Sequence, residues 1–125
     1  MPISSAFCAP SAAHQLDVPP DGAVFLIFIS SDDPETQQPW CPDVRASWPH
    51  VVAAFGADTA PELSVVRVGQ RAEWRSEGNA YRRNWGVRGV PTLAKYRRVD
   101  GQVVETARLD ENGIQDGEAL REFLK

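Results

Sequence analysis

Cysteine is scarce in this chain: Cys8 and Cys41 are the 2 in 125 residues. That is too few for the disulfide scaffold that holds together many small secreted domains. Histidine is equally sparse. His14 and His50 stand singly, with no Cys/His ligand spacing, so no metal is expected, and nothing in the sequence implies an organic cofactor. Basic charge is not in excess either. With 13 Lys and Arg against 17 Asp and Glu, the net charge is −4 and the pI about 5.1. Such a balance argues against nucleic acid as a partner and gives no attraction to an anionic membrane surface. No apolar run reaches transmembrane length, since the longest, AVFLIFI at residues 23–29, is strand-sized. The opening MPISSAFCAPSAAHQ lacks the charged region and apolar stretch of a signal peptide, so a cytoplasmic location is expected.

What is present suits one soluble domain over residues 1–125, with 42% hydrophobic and 24% charged residues. Residues 1–20, rich in Ala, Ser and Pro, read as an N-terminal segment, loosely ordered but with some packing and one short strand or turn. AVFLIFIS (23–30) reads as a central strand buried on both faces. A polar loop follows, and then a helix from Cys41 or Pro42. Its core stripe is Val44, Trp48, Val51 and Phe55, with Pro49 as a kink and Gly56 as the stop. LSVVRV (63–68) reads as a second buried strand. Residues 69–79 read as a long loop with room for one helical turn, and Asn79 caps a short helix ending before Gly86. Residues 87–109 read as a strand, an Asp100-Gly101 turn and a strand. A last helix from Asp116 places Leu120, Phe123 and Leu124 on one face. The expected class is α/β: a mixed sheet with helices on both faces.

Chemistry concentrates in QQPWCPDVRASWP (37–49). A cysteine at a helix N-terminus meets the positive end of the helix dipole and free backbone N–H groups, which favour the nucleophilic thiolate. Trp40 offers an apolar surface beside Cys41 and Pro42 fixes the turn. The Asp43 carboxylate opposes part of the effect, and Arg45, one turn along, restores some of it. His50, nine residues on, would lie about 13 Å along the helix, too far to act as a general base. Trp48, Trp74, Tyr81 and Trp85 read as packing residues, and Arg82-Arg83 and Arg97-Arg98 as solvated faces. Trp74 and Arg71 are candidates to shape a substrate groove.

The chain resembles the thioredoxin superfamily. The resemblance rests on WCPD after a buried strand, on Pro49 eight positions past Cys41, on NWGVRGVPTLAKY (84–96), and on the final hairpin and helix. It covers roughly residues 20–125. WCPD in place of Trp-Cys-Gly-Pro, together with the segment VGQRAEWRSEGNAYRR (68–83), is similar to the thioredoxin domain-containing protein 17 family, small cytosolic oxidoreductases with a Trp-Cys-Pro-Asp-Cys site. The resemblance implies a thioredoxin fold. It makes Cys41 the attacking cysteine and Pro91 a cis-proline facing it, with Val90 offering backbone groups to an extended substrate and Thr92 completing the groove. It also implies thioredoxin reductase as the usual electron source.

Two departures stand out. Val44 occupies the position of the family's resolving cysteine, and AVFLIFIS lacks the buried acid that serves thioredoxins as a proton relay. Valine fills the space of a buried cysteine, so the fold tolerates the change. The chemistry does not, because a mixed disulfide on Cys41 then waits for an external thiol such as glutathione, or for another cysteine, with Cys8 a candidate. Two functions remain open. One is a monothiol thiol-disulfide oxidoreductase acting on disulfide-containing proteins or small-molecule thiols. The other is a redox-inactive module that keeps the groove to bind peptides or proteins; a third and weaker option is an intramolecular switch in which Cys8 and Cys41 form a reversible disulfide.

Overall fold

The computed structural model describes residues 2–125. One mixed sheet contains β1 (Ile3–Ser4), β2 (Ala23–Ile29), β3 (Leu63–Arg67), β4 (Thr92–Val99) and β5 (Gln102–Leu109), in the order β1-β3-β2-β4-β5. The first three strands run parallel; β4 is antiparallel to β2, and β5 to β4. The helices are α1 (Pro42–Phe55), α2 (Arg71–Arg75), α3 (Ala80–Asn84), α4 (Glu111–Ile114) and α5 (Gly117–Leu124).

The unbroken apolar run of β2 follows from its place between β3 and β4, covered above and below. Residues 25–29 are all buried. Successive side chains point to opposite faces. On one face Phe25 meets Phe55 of α1 at 5.7 Å and Phe123 of α5 at 5.8 Å between ring centres. On the other, Phe28 meets Tyr81 of α3 at 6.0 Å and Trp85 at 5.7 Å. Each such pair contributes about 0.5–1.5 kcal/mol beyond its area burial. The β4–β5 hairpin turns through Asp100 and Gly101, with φ of 53° and 81°. Positive φ at both central residues is what a two-residue turn of matching twist demands.

Several expectations need correction. Residues 2–20 carry the one short strand expected of them but are tied down more firmly than a loosely ordered segment. β1 pairs with β3, Leu16 and Val18 are buried, and Arg98 Nε donates to the Val18 carbonyl at 2.6 Å. Arg98 is therefore a tether for this segment rather than part of a solvated face. Residues 87–91 are a loop, and β4 starts only at Thr92. An extra short helix, α4, precedes α5; Asp110 caps it, and its Ile114 is fully buried. In α1 the buried stripe is Val44, Ser47, Val51 and Phe55. Trp48 is only half-buried. Ser47 is tolerated inside because its hydroxyl accepts from Gln115 Nε2 at 3.2 Å. Pro49 lies within α1, where its missing N–H deprives the Arg45 carbonyl of its usual donor.

Tyr96 of β4 is 1% exposed and its hydroxyl has no hydrogen-bond partner, although the Glu105–Arg108 ion pair is near. Burial first, and the Glu105 carboxylate second, push the phenol above its ordinary value. Tyr96→Phe is therefore expected to keep or raise stability, by up to about 1 kcal/mol in urea unfolding, because it removes an unsatisfied buried hydroxyl. A phenol raised in the folded state contributes stability below the unfolded value of about 10 and loses it as pH climbs above that. The alkaline loss of stability should accordingly be smaller in Tyr96→Phe than in the parent protein.

Candidate active site

Cys41 sits where the chain leaving β2 turns into α1. It is the N-cap residue, extended at φ −84° and ψ 122°, and its carbonyl accepts the first helical N–H groups, from Val44 at 3.1 Å and Arg45 at 3.3 Å. Pro42 occupies the first helical turn, where a missing N–H costs nothing. The Cys41 N–H donates to the buried Ser30 Oγ at 3.2 Å. Cys41 is 9% exposed, and its sulfur donates to the Val90 carbonyl at 3.5 Å. Cys41 and Val90 are 49 positions apart. They meet because the end of β2 pairs with the start of β4, Phe28 opposite Thr92.

The Val90–Pro91 peptide is cis. Val90, Pro91 and Thr92 are all buried, and Thr92 Oγ1 donates to the Gly89 carbonyl at 2.7 Å, which closes the loop beside the sulfur. Asp43 is exposed on the first turn of α1, and Val44 is 1% exposed beneath it. No carboxylate is buried among the described residues, so nothing near Cys41 takes the place of a buried relay acid.

Trp40 is held by the segment that follows β3. Its Nε1 donates to the Gly69 carbonyl at 2.9 Å. Gly69 also ties down Ser31: its N–H donates to Ser31 Oγ at 3.0 Å, and its carbonyl accepts the Ser31 N–H at 3.3 Å. Gln70 and Glu73 form a reciprocal capping box that starts α2 and sets Arg71 over Trp40. The Arg71 guanidinium lies 4.9 Å from the Trp40 ring centre and donates to the Trp40 carbonyl at 3.3 Å. Arg45 Nη1 donates to the Pro39 carbonyl at 2.6 Å.

Of the residues singled out from sequence, Trp40, Cys41, Pro42, Val90, Pro91 and Thr92 come together, with Arg71 beside them. Trp74 does not join them; it is half-buried under Arg82, 5.3 Å away. His50 is exposed on α1. Cys8 is an exposed free thiol in a hollow with Phe7, Val65, Val66 and Tyr81, and no hydrogen bond or shared pocket links it to Cys41. Ser30 and Gly69 went unnoticed in the sequence. A serine ending an apolar strand was a weak sign of the first, and nothing local marked the second.

The model of the thioredoxin domain of thioredoxin domain-containing protein 17-like proteins matches residues 14–124. A thioredoxin domain-containing protein of Schizosaccharomyces pombe is 34% identical over 101 residues, covering 81% of this chain and 82% of that one. Thioredoxin domain-containing protein 17 of Homo sapiens is 32% identical over 95 residues, covering 74% of each. Among solved structures, Trxlp from Edwardsiella tarda superposes with a TM-score of 0.53 at 21% identity, covering 82% of both chains; that likeness speaks to the fold alone.

Gly69 carries φ +106°, and a Cβ there would stand 2.8 Å from Glu73 Cβ. Gly69→Ala is thus expected to destabilise the protein by roughly 1–3 kcal/mol in urea unfolding, since a strained backbone and a displaced capping box arise together.

Proposed function

The chain belongs to the thioredoxin domain-containing protein 17-like family and has the α/β thioredoxin fold, and from that premise we propose that it is a thiol-disulfide oxidoreductase working through Cys41 alone. A thioredoxin-like redox function at the general level follows from the family. The single-sulfur mechanism is the finer step. The observation that carries it is the meeting of the Cys41 sulfur, at the N-cap of α1, with the Val90 carbonyl next to Pro91.

The Cys41 thiolate bonds to one sulfur of a substrate disulfide. The S–S bond breaks, and the other sulfur leaves as a thiolate that takes a proton from water. Trp40 on one side and Pro91 on the other frame the mixed disulfide. Val44, buried one turn below, has no thiol with which to displace it. An external thiolate, glutathione or a partner's cysteine, then attacks the substrate sulfur, and Cys41 leaves reduced. Cys8, an exposed free thiol, is a lesser candidate: its thiolate would attack the Cys41 sulfur, release the substrate as a thiolate and leave a Cys8–Cys41 disulfide to be reduced in turn. Such chemistry belongs in a reducing compartment, which fits a cytoplasmic protein. Thioredoxin reductase, which reduces a disulfide to a dithiol, would serve only if Cys41 formed an internal disulfide with another cysteine such as Cys8. No helix among the described residues is long and apolar enough to cross a membrane.

The second reading, a redox-inactive module that binds peptides or proteins at the Val90 groove, is favoured by the burial of Cys41. One experiment separates the two. In a Cys8→Ser background, oxidised glutathione should add one glutathione to Cys41, seen by intact mass, and excess thiol should remove it. Cys41→Ser should take up none. A Cys41 that forms no adduct while the protein still binds its partner would leave the groove as the functional element.

Val44→Cys supplies a further test. Side chains three residues apart on a helix have Cβ atoms about 5–6 Å apart, which a small shift of the first turn brings within disulfide range. The variant should replace the persistent glutathione adduct with an internal disulfide, 2 Da lighter than the dithiol by mass (about two hydrogens). It should also become a substrate for thioredoxin reductase, measured as NADPH consumption.

A further inference from the structure

Two guanidinium groups hold the two carbonyls that immediately precede Cys41. Arg45 takes that of Pro39 at 2.6 Å, and Arg71 takes that of Trp40 at 3.3 Å. The Trp40 carbonyl carbon is bonded to the Cys41 nitrogen, so Arg71 stands one peptide unit from the reacting residue. Both arginines are exposed. Neither forms an ion pair among the described residues, where the pairs are Arg108–Glu105 and Lys125–Glu122. Asp43 lies two residues before Arg45 on α1, a spacing at which helix side chains do not face each other. Asp32 shares the hollow beyond Arg45, but Arg67 lies there too. Across the groove the charges are mixed: Arg88 and Arg108 line the hollow beside Pro91 together with Asp110 and Glu111. Glu73, two residues past Arg71 on α2, turns its carboxylate to the Gln70 N–H at 2.9 Å. On the Trp40 wall, the two charged groups bonded to the carbonyls that lead into Cys41 are thus both cationic, in a chain of net charge −4.

We propose that this wall selects anionic disulfides, those carrying a carboxylate on the side that meets Trp40. The inference rests on the single-sulfur reading above and adds a substrate class to it. Arg71 acts on encounter and docking. It does not take part in breaking the S–S bond: the Cys41 sulfur is oxidised as it bonds to the substrate, and the departing sulfur is reduced and protonated by water. Exposed charges attract across a distance set by ionic strength, so the preference must fade as salt is added.

Three disulfides test the idea on the Cys8→Ser protein. Oxidised glutathione has more carboxylates than ammonium groups, hydroxyethyl disulfide is uncharged, and cystamine carries only ammonium groups. The rate of adduct formation at Cys41 is followed by acid-quenched intact mass. Each rate is divided by that of the same disulfide with free mercaptoethanol, which removes intrinsic reactivity. Oxidised glutathione should exceed cystamine by roughly 3-fold or more at low salt. The ratio should shrink between about 0.01 M and 0.15 M ionic strength. Arg71→Gln should bring the ratio toward one. Arg71→Lys, which keeps the charge and gives up the stacked plane, should retain most of it, and Arg45→Gln should lower it in part. Equal normalised rates for all three disulfides in the parent protein would overturn the charge selection and leave the exchange chemistry standing. Failure of Cys41 to react with any of them would remove the single-sulfur reading, and this inference with it.

Discussion

The antiparallel pairing of β2 with β4 is the constraint on which the site depends. Phe28 stands opposite Thr92, so the chain leaves β2 and enters β4 at the same end of the sheet. The segment just past β2 carries Ser30 and, after a loop, Cys41. The segment just before β4 carries Val90 and Pro91. Neither segment has regular structure of its own until the register brings them together. The burial of β2 on both faces then fixes that register, because a slip of one residue would turn Phe25 and Phe28 onto each other's faces. The packing of the core and the placement of the sulfur are thus one problem, solved by the same hydrogen-bond ladder.

Much of this was legible in the residues. The run at 23–29 had to be a central strand because nothing in it tolerates water. Pro42 after Cys41 marked the start of α1, and the Asp100-Gly101 pair marked the hairpin. Other features resisted for physical reasons. The packing of residues 2–20 depends on a tether from Arg98, eighty positions away, which no local pattern reveals. Ser47 interrupts the apolar stripe of α1 because Gln115 satisfies its hydroxyl, again a partner distant in sequence. The helix α4 has four residues, too few for a periodic signal, and rests on the Asp110 cap and the burial of Ile114. At the site, Cys41 and Pro91 announced themselves by motif. Ser30 and Gly69 did not, since their roles consist entirely of hydrogen bonds to other segments.

The departures at Val44 and in β2 belong together. A dithiol site needs a second sulfur under the first and a means of moving its proton. Here the space under Cys41 is filled by valine, and no carboxylate is buried among the described residues. A site that never ionises a second, buried sulfur has no use for a buried acid beside it, and an unpaired carboxylate in that apolar setting would destabilise the fold. What remains around Cys41 is a serine hydroxyl, a backbone carbonyl and the first turn of α1, all of which position one sulfur and none of which resolves a mixed disulfide.

The charge of the whole chain is a poor guide to what such a sulfur meets. Fields from exposed groups decay over about 8 Å at physiological ionic strength, so most of the net −4 is invisible to a molecule docked at Trp40. The charges it meets are those nearest Cys41 in space, the exposed Asp43 carboxylate among them. On the Trp40 side these are Arg71, held by the indole ring and the Trp40 carbonyl, and Arg45, held by the Pro39 carbonyl. Anchoring on backbone carbonyls matters more than the number of arginines. A freely moving side chain spreads its charge over many positions, whereas these two are fixed beside the peptide that leads into the sulfur. The Arg71 anchor exists because the segment after β3 folds back as a capped helical turn over Trp40, and the Arg45 anchor because the first turn of α1 runs back beside the loop that precedes it. The segment at 68–83 therefore supplies one of the two cations on this wall, and α1 supplies the other.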